Sequence, residues 1–391
     1  MKGKSLLMIP GPIEFDLDVL DQMGKATTSH VDPEFIDHFG RAIENMRLLF
    51  RCKEGQPFVI AGSGTLGMDT AAANLTEPGD RVLQLSTGYF GERMKNIFER
   101  YGAEVTLVTA PVGEVQDLNE IETLLKQNQY KIMAMTHVDT STGVLNRVKD
   151  FAQLAKKYNV LVVVDGVCSV AAEELRMDDW GVDVAFTASQ KAVGVPPGLA
   201  LAVASKNAMQ TFSNRKHPVA SYYPDWANWL PIMQAYEARK AAYFGTPAVN
   251  LVNALDVSLQ KILLEGLDHR LIRHQTVSQA FKGAMQELGL RQIPSGPEIA
   301  ANTMTAPYLP ENVNLGEFLG HVKEAGVVLA GGLLADRKNQ YFRVGHMGIV
   351  DMEDTMTTIA AIETGLLKCG YMKETGAGTS AAIKIFDQKA K

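Results

Sequence analysis

The chain of 391 residues has few cysteines, no strong net charge and no long apolar run. Its three cysteines are widely spaced, which argues against a disulfide scaffold and leaves no CxxC pair or His/Cys cluster for a structural metal. A net charge of -6 lacks the basic surplus that nucleic-acid-binding proteins usually show. No apolar stretch reaches the roughly 20 residues needed to span a bilayer, so we expect neither a membrane segment nor a nucleic-acid partner.

The two ends of the sequence lack recognisable targeting signals. The apolar segment before Pro10 is too short for the core of a signal peptide. The last three residues, Lys389, Ala390 and Lys391, differ from the Ser-Lys-Leu tripeptide that directs proteins to peroxisomes. The expected location is therefore the cytoplasm.

Apolar strands alternate with helices from about residue 58 to residue 204. A helix begins earlier, at Asp32 and Pro33, since Asp can cap a helix and Pro suits its first position. The later strands are apolar throughout, which is typical of a parallel or mixed sheet covered by helices on both faces. Predicted strands span residues 58–60, 82–85, 104–109, 131–137, 160–165, a run leading to Lys191, and 199–204; predicted helices span 65–75, 90–101, 118–127 and 148–158.

The last third of the chain has a different pattern. A helical stretch over residues 250–288 is interrupted only at Gly266, and shorter elements follow it. We predict strands at 303–308, 327–330 and 341–344 and helices at 315–325 and 352–367. The fold class is therefore α/β, with an N-terminal arm (1–20), a large domain with a mostly parallel sheet (21–265) and a smaller C-terminal α/β domain (266–391).

Two ionisable residues follow buried strands. Asp165 ends an apolar run, and Lys191 lies between an apolar strand and the turn at 196–198. A structural salt bridge and a surface lysine are the ordinary interpretations. However, pyridoxal phosphate (PLP) chemistry requires both groups: a confined lysine that forms a Schiff base with the cofactor, and a carboxylate that keeps the pyridine nitrogen protonated. The pair therefore favours a PLP site.

A glycine-rich turn at 62–67 follows a strand and opens a helix. Exposed N–H groups and the helix dipole make such a turn an anion site, so we expect it to bind phosphate. The same residues read as GxGxxG, the dinucleotide fingerprint, but that function needs an acidic residue at the end of the next strand. The strand at 82–87 has none. A nicotinamide-dependent dehydrogenase is kept as an alternative.

Three further features have both a functional and a structural interpretation. Tyr89 or Phe90 could stack on a flat cofactor or open a helix as a core aromatic. The hydroxyl-rich segment 136–143 suits hydrogen bonds to a ring substituent, but also an ordinary turn. Arg343, which is flanked by apolar residues, could bind a substrate carboxylate or form a structural ion pair.

Together these motifs resemble the class V branch of the fold type I PLP aminotransferases. The run from Val182 to Lys191, followed after six residues by 198–202, fits that family's attachment signature. From near Met8 to the last helix the chain is similar to alanine–glyoxylate and serine–pyruvate aminotransferases, particularly the fungal alanine–glyoxylate enzymes. The shared segments are 9–12, 61–67, 136–142, 187–191 and 343–348.

The resemblance implies a role for each matched residue. Lys191 holds the cofactor and moves the substrate proton, while Asp165 pairs with the pyridine nitrogen. Val167 and Phe90 enclose the ring, and Thr140 forms a hydrogen bond on its hydroxyl side. The other residues bind phosphate (Gly64, Thr65 and Gln190, with Tyr243 and Thr246 reaching from the neighbouring subunit) or substrate (Gly11 and Arg343).

The same resemblance implies a homodimeric transaminase that moves the amino group of alanine, or of serine, to glyoxylate. We could identify no second cation placed for a side-chain carboxylate, which favours small substrates. Serine–pyruvate and ureidoglycine–glyoxylate transamination are alternatives within the family. A PLP-dependent desulfurase, lyase or aldolase is a further alternative, although a desulfurase needs a cysteine on a mobile loop and Cys168 is expected to be buried.

Overall fold

A seven-stranded sheet forms the centre of the computed structural model, which describes residues 5–389. Residues 1–4 of the predicted arm lie outside the described residues. So do residues 390 and 391, which belong to the C-terminal tripeptide from which the compartment was predicted. In chain order the strands are β1 (Leu6–Leu7), β2 (Gln56–Ala61), β3 (Arg81–Ser86), β4 (Glu104–Thr109), β5 (Ile132–Thr136), β6 (Val138–Asp139), β7 (Val144–Leu145), β8 (Leu161–Asp165), β9 (Val184–Ala188), β10 (Leu199–Ala204), β11 (Met304–Thr305), β12 (Val327–Val328), β13 (Ala330–Gly331) and β14 (Phe342–Gly345).

The helices cover both faces of this sheet and build the C-terminal part of the chain. They are α1 (Leu17–Gly24), α2 (Pro33–Phe50), α3 (Gly64–Leu75), α4 (Tyr89–Arg100), α5 (Leu118–Gln127), α6 (Val148–Lys157), α7 (Met177–Trp180), α8 (Lys206–Ser213), α9 (Trp226–Glu237), α10 (Val249–Glu265), α11 (Leu267–Glu287), α12 (Leu315–Glu324), α13 (Met352–Lys368) and α14 (Ala377–Lys389), with a short 3-10 turn at Pro297–Ile299. Within residues 5–389, no helix combines the length and the apolar character that crossing a membrane requires.

The sheet is mixed and mostly parallel, as predicted. Its strand order is β2-β10-β9-β8-β5-β3-β4, and β10 runs antiparallel to both of its neighbours. The remaining pairs are parallel. Because β2 and β9 both oppose β10, strands β2, β3, β5, β8 and β9 all end at one edge of the sheet. Loops at the carboxyl ends of such strands are where α/β proteins bind ligands.

Most predicted elements are confirmed, and some are wrong or were missed. The bounds of β4, α5 and β10 match the prediction. The strand expected at 303–308 shrinks to β11, since Pro307 has no N–H to donate to a ladder and only isolated bridges follow it. Helices α1, α7, α8, α9 and α14 were not predicted. Among these, α1 spans residue 20, where we placed the end of the arm, and Asp16 caps it by accepting a hydrogen bond from Asp18 N.

A second apolar core lies in the C-terminal part of the chain. It contains buried side chains of α11, α12, α13 and β14, together with Met8 of the N-terminal segment. That segment is attached to it because β1 pairs with β12 and Met8 O accepts a hydrogen bond from Gly345 N at 2.9 Å. Farther along, Ile13 N donates to Gln190 O at 3.3 Å. The segment therefore crosses from the C-terminal core to the carboxyl edge of the central sheet.

Candidate active site

A cavity of about 180 Å³ opens at the carboxyl edge of the central sheet. The segments that follow β2, β3, β5, β8 and β9 all contribute to it, because these strands end at the same edge of the sheet. The residues lining it are Gly11, Ser63, Gly64, Thr65, Met68, Phe90, Arg93, Thr136, Val138, Thr140, Asp165, Val167, Cys168, Gln190 and Lys191.

Nine of the residues predicted for the site line this cavity. They are Gly11, Gly64, Thr65, Phe90, Thr140, Asp165, Val167, Gln190 and Lys191. Arg343 lies beside it, since its Nη1 donates to the carbonyl oxygen of the lining residue Thr140 at 3.1 Å. Tyr243 and Thr246 do not line it: both are exposed on this chain, and the Tyr243 ring contacts the ring of His30 instead.

Lys191 is held in a rigid turn after β9. The Ser189 hydroxyl donates to Pro196 O at 2.8 Å and accepts from Leu199 N at 3.1 Å, which closes the turn around the lysine. The side chain is buried, and its Nζ donates to the carbonyl oxygen of Pro10. Burial lowers the pKa of the Lys191 amine because the ammonium form is poorly solvated there. A deprotonated amine at this position can act as a nucleophile or a base.

Asp165 ends β8 and is only 3% exposed. Burial raises the pKa of its carboxyl to about 7, although its Oδ1 accepts a hydrogen bond from Val167 N at 2.9 Å, which opposes that rise. The nearby carboxylate of Asp139 raises it further, whereas Lys191 lowers it. An additional positive group in the cavity would stabilise the ionised form of Asp165.

The beginning of α3 offers backbone N–H donors to an anion. Ser63 precedes the helix without forming a side-chain cap, so the first N–H groups, those of Gly64 and Thr65, receive no cap from it. A Cβ added to Gly64 would lie 2.8 Å from Cγ2 of Val167, so the backbone there is pressed against the side chain that follows Asp165. This arrangement suits a phosphate group beside the flat face of a ring.

Two buried polar atoms at the cavity have no partner among the described residues. They are Thr136 Oγ1 and Gln190 Oε1. Buried polar groups are normally hydrogen-bonded, so both indicate a polar ligand. The donors of α3, the carboxylate of Asp165 and the amine of Lys191 match the phosphate, the pyridine nitrogen and the aldehyde of PLP. The residues present therefore fit this cofactor.

The sequence analysis missed Asp139, which fixes the position of Phe90. Its fully buried carboxylate accepts hydrogen bonds from Phe90 N at 2.9 Å and Gly91 N at 3.3 Å through one oxygen, and from Ser141 N and Oγ through the other. The carboxylate thus joins the start of α4 to the β6–β7 turn that carries Thr140. Asp139 lies within the hydroxyl-rich segment 136–143, for which the sequence predicted a role only for the hydroxyl groups.

The sequence analysis also missed Arg93, a second cation at the cavity. It lies one turn after Phe90 on α4, with its guanidinium 4.9 Å from the Phe90 ring centroid and Nη1 3.2 Å from Thr65 Oγ1. The spacing of three residues from Phe90 was the available signal. Cys168 also lines the cavity; it is buried as predicted, and burial raises the pKa of its thiol to about 11.

A lysine and a buried carboxylate at the carboxyl edge of a mixed sheet, beside a phosphate site, define a PLP-dependent enzyme of fold type I. The sequence profile of the family described as Aminotransferase class-V matches residues 20–334. The chain therefore belongs to the class V aminotransferases, which are PLP-dependent enzymes.

Individual relatives cover nearly the whole chain. Alanine–glyoxylate aminotransferase 1 of Saccharomyces cerevisiae is 40% identical over 363 residues, which cover 89% of this chain and 93% of that protein. L-aspartate–glyoxylate aminotransferase of Paracoccus denitrificans is 30% identical, covering 99% and 98%. The crystal structure of ureidoglycine–glyoxylate aminotransferase from Bacillus subtilis superposes with a TM-score of 0.93 at 26% identity, covering 99% of both chains. The names of these relatives share glyoxylate and differ in the amino donor.

Proposed function

We propose that this protein transfers the amino group of alanine, or of serine, to glyoxylate; with alanine the products are pyruvate and glycine. The observation that carries this proposal is a small cavity that both Lys191 and Asp165 line, with Arg343 beside it. The 40% identity to a yeast alanine–glyoxylate aminotransferase supports this choice of donor and acceptor.

In this proposal Lys191 is the catalytic base. PLP, when bound, supplies a ring that withdraws electrons from the substrate's α carbon. Lys191 Nζ would remove the proton from the substrate's α carbon and deliver it to the cofactor, and its lowered pKa favours the base form that this step needs. Asp165 would hold the pyridine nitrogen and would then stay ionised, because a positive partner opposes the effect of burial on its pKa.

Arg343 is proposed to bind the substrate's α-carboxylate. Nε donates to Gly331 O at 2.7 Å and Nη1 to Thr140 O at 3.1 Å, so two carbonyl oxygens fix the plane of the guanidinium. Within residues 5–389, no carboxylate forms a salt bridge with Arg343, which disfavours a structural ion pair. A buried cation without an anionic partner is unfavourable, and a substrate carboxylate would supply that partner.

Homodimer formation is part of the proposal. Tyr243 and Thr246 are proposed to reach the phosphate of the neighbouring subunit's cofactor, which is consistent with their exposure on this chain. Tyr243 is 65% exposed, and Tyr222, whose ring centroid lies 5.5 Å from that of Phe244, is 75% exposed, unusual values for large aromatic side chains. Sedimentation should give a dimer, and a fully active monomer would contradict this assignment.

The division into an arm (1–20), a large domain (21–265) and a small domain (266–391) is likewise proposed. The two apolar cores and the break at Gly266, which has a φ of +83° between α10 and α11, support the second boundary. The cytoplasmic location stays a prediction from the sequence.

A donor-by-acceptor matrix with the purified, PLP-loaded protein tests the proposed reaction. Alanine and glyoxylate should give pyruvate and glycine in equal amounts, and Lys191→Ala should give neither. Turnover with other donors only, or release of sulfide or an aldehyde from the donor, would contradict the proposal. Energy transfer from tryptophan to added NADH would favour the dehydrogenase alternative.

A further inference from the structure

Arg93 is a partly exposed cation that lines the cavity. No carboxylate forms a salt bridge with it in the part of the chain that the structure describes. Its guanidinium lies instead 5.0 Å from the Tyr89 ring centroid and 4.9 Å from that of Phe90, and Nη2 donates to Tyr89 Oη at 3.2 Å. Two aromatic rings therefore hold the cation in place while its charge stays available to a ligand.

The position of Arg93 coincides with the anion site at the start of α3. Nη1 lies 3.2 Å from Oγ1 of Thr65, whose backbone N–H belongs to the uncapped first turn of that helix. Among the residues that line the cavity, only Lys191 and Arg93 carry cationic side chains. Lys191 is committed to the cofactor aldehyde in the proposed function. Arg93 is then the single cationic side chain that this lining offers to a phosphate.

We propose that Arg93 binds the phosphate of PLP and is a principal determinant of the protein's affinity for the phosphorylated cofactor over its unphosphorylated form, pyridoxal. The inference depends on the proposed function only for the presence of PLP in this cavity. A phosphate dianion at a helix N-terminus gains from a guanidinium because the bonds between them are charge-assisted. Since the guanidinium is partly exposed, salt should weaken this contribution.

Two other roles for Arg93 would have different consequences. If it only supports the Phe90 ring, its loss would weaken the binding of PLP and pyridoxal equally, because both carry the same ring. If it binds the distal carboxylate of a dicarboxylic donor, its loss would impair aspartate as a substrate and leave cofactor affinity unchanged. The contact with Thr65, rather than with Thr140 or Arg343, favours the phosphate.

The test compares cofactor affinities of the cofactor-free protein and three variants. Arg93→Gln removes the charge at similar length, and Arg93→Lys keeps the charge without the guanidinium fork. Arg100→Gln removes an exposed charge from the last turn of the same helix and is the matched control. Dissociation constants for PLP and for pyridoxal are measured from the absorbance of the bound ligand at low and high salt, and thermal unfolding checks that each variant is folded.

Arg93→Gln should raise the dissociation constant of PLP about tenfold or more, the effect of losing one hydrogen bond to a charged group, and leave that of pyridoxal unchanged. Arg93→Lys should recover part of the loss, Arg100→Gln should match the wild type, and high salt should reduce the difference. Equal losses for both ligands, or no loss for PLP, would overturn the inference. A wild-type protein that binds PLP but does not transaminate alanine and glyoxylate would refute the proposed function alone.

Discussion

Replacing Asp165 with asparagine should stabilise the cofactor-free protein at high pH. Burial raises the pKa of this carboxyl from its ordinary 3.8 to about 7. At pH 8 folding therefore buries a carboxylate that water solvates better, and at about 1.36 kcal/mol per pKa unit the cost is about 4 kcal/mol. The asparagine variant has no charge to bury and can keep the hydrogen bond from Val167 N.

The pH dependence of this effect follows from the direction of the shift. Because the folded-state pKa lies above the unfolded value, the cost is absent below pH 3.8, grows as the pH rises to about 7 and is constant above it. Urea unfolding of both cofactor-free proteins at several pH values should show the variant's advantage growing over this window. Asp21→Asn, at an exposed carboxylate, is the control and should show no such trend. A constant difference, or a more stable wild type at pH 8, would refute the reasoning.

The same substitution should severely impair catalysis, so stability and activity change in opposite directions. Asp165 and the pyridine nitrogen would form a buried charge pair, and removing one member of such a pair costs about 3–5 kcal/mol. If this cost raises the activation free energy, turnover falls about 10²-fold or more. Single-turnover conversion of alanine to pyruvate by PLP-loaded Asp165→Asn measures this. Wild-type turnover in the variant would show that Asp165 does not act on the cofactor ring.

Three further substitutions test other parts of the site. Lys191→Ala should remove the absorbance of the lysine-bound cofactor together with turnover, and activity retained in this variant would exclude Lys191 as the base. Arg343→Gln should lower kcat/KM for alanine and glyoxylate alike by about 10²-fold, because both carry the carboxylate that it is proposed to bind, and a selective effect on one of them would argue against that role. Asp139→Ala should reduce the free energy of unfolding by about 1–3 kcal/mol and weaken PLP binding, since the N–H groups of Phe90 and Gly91 lose their acceptor. Thermal unfolding and cofactor titration measure the two effects. Unchanged PLP affinity would show that the hydrogen bonds of Asp139 do not position the Phe90 ring for the cofactor.

The alternation of apolar strands and helices predicts the central sheet because a strand buried on both faces is apolar throughout. It gives neither the strand order nor the antiparallel direction of β10, which depend on contacts between distant segments. Helix α9 escaped prediction because Pro231 and three aromatic residues obscure its periodicity. Such a helix is stabilised by its packing: Trp226, for example, stacks on Phe58 of β2 with centroids 5.0 Å apart.

Residues of the candidate site could be predicted from the sequence where they lie at, or directly after, the end of a strand. Lys191, Asp165 and Gly64 belong to short motifs at such ends, and parallel strands bring these motifs to one edge. Arg93 and Asp139 were not predictable in this way. The guanidinium reaches the cavity only because α4 is oriented with Phe90 and Arg93 on the same side, and Asp139 acts through backbone N–H groups 49 and 48 residues away.

The cofactor-free site holds three buried ionisable groups in unfavourable states. Burial lowers the pKa of Lys191, raises that of Asp165 and lowers that of Arg343. A cofactor that is positive at the pyridine nitrogen and reactive towards an amine would stabilise the first two groups but not Arg343. Since Arg343 pairs with no carboxylate among the described residues, only the substrate would then complete the site. We therefore expect PLP binding to stabilise the fold strongly, and the substrate's carboxylate to supply the partner that Arg343 still lacks in the loaded protein.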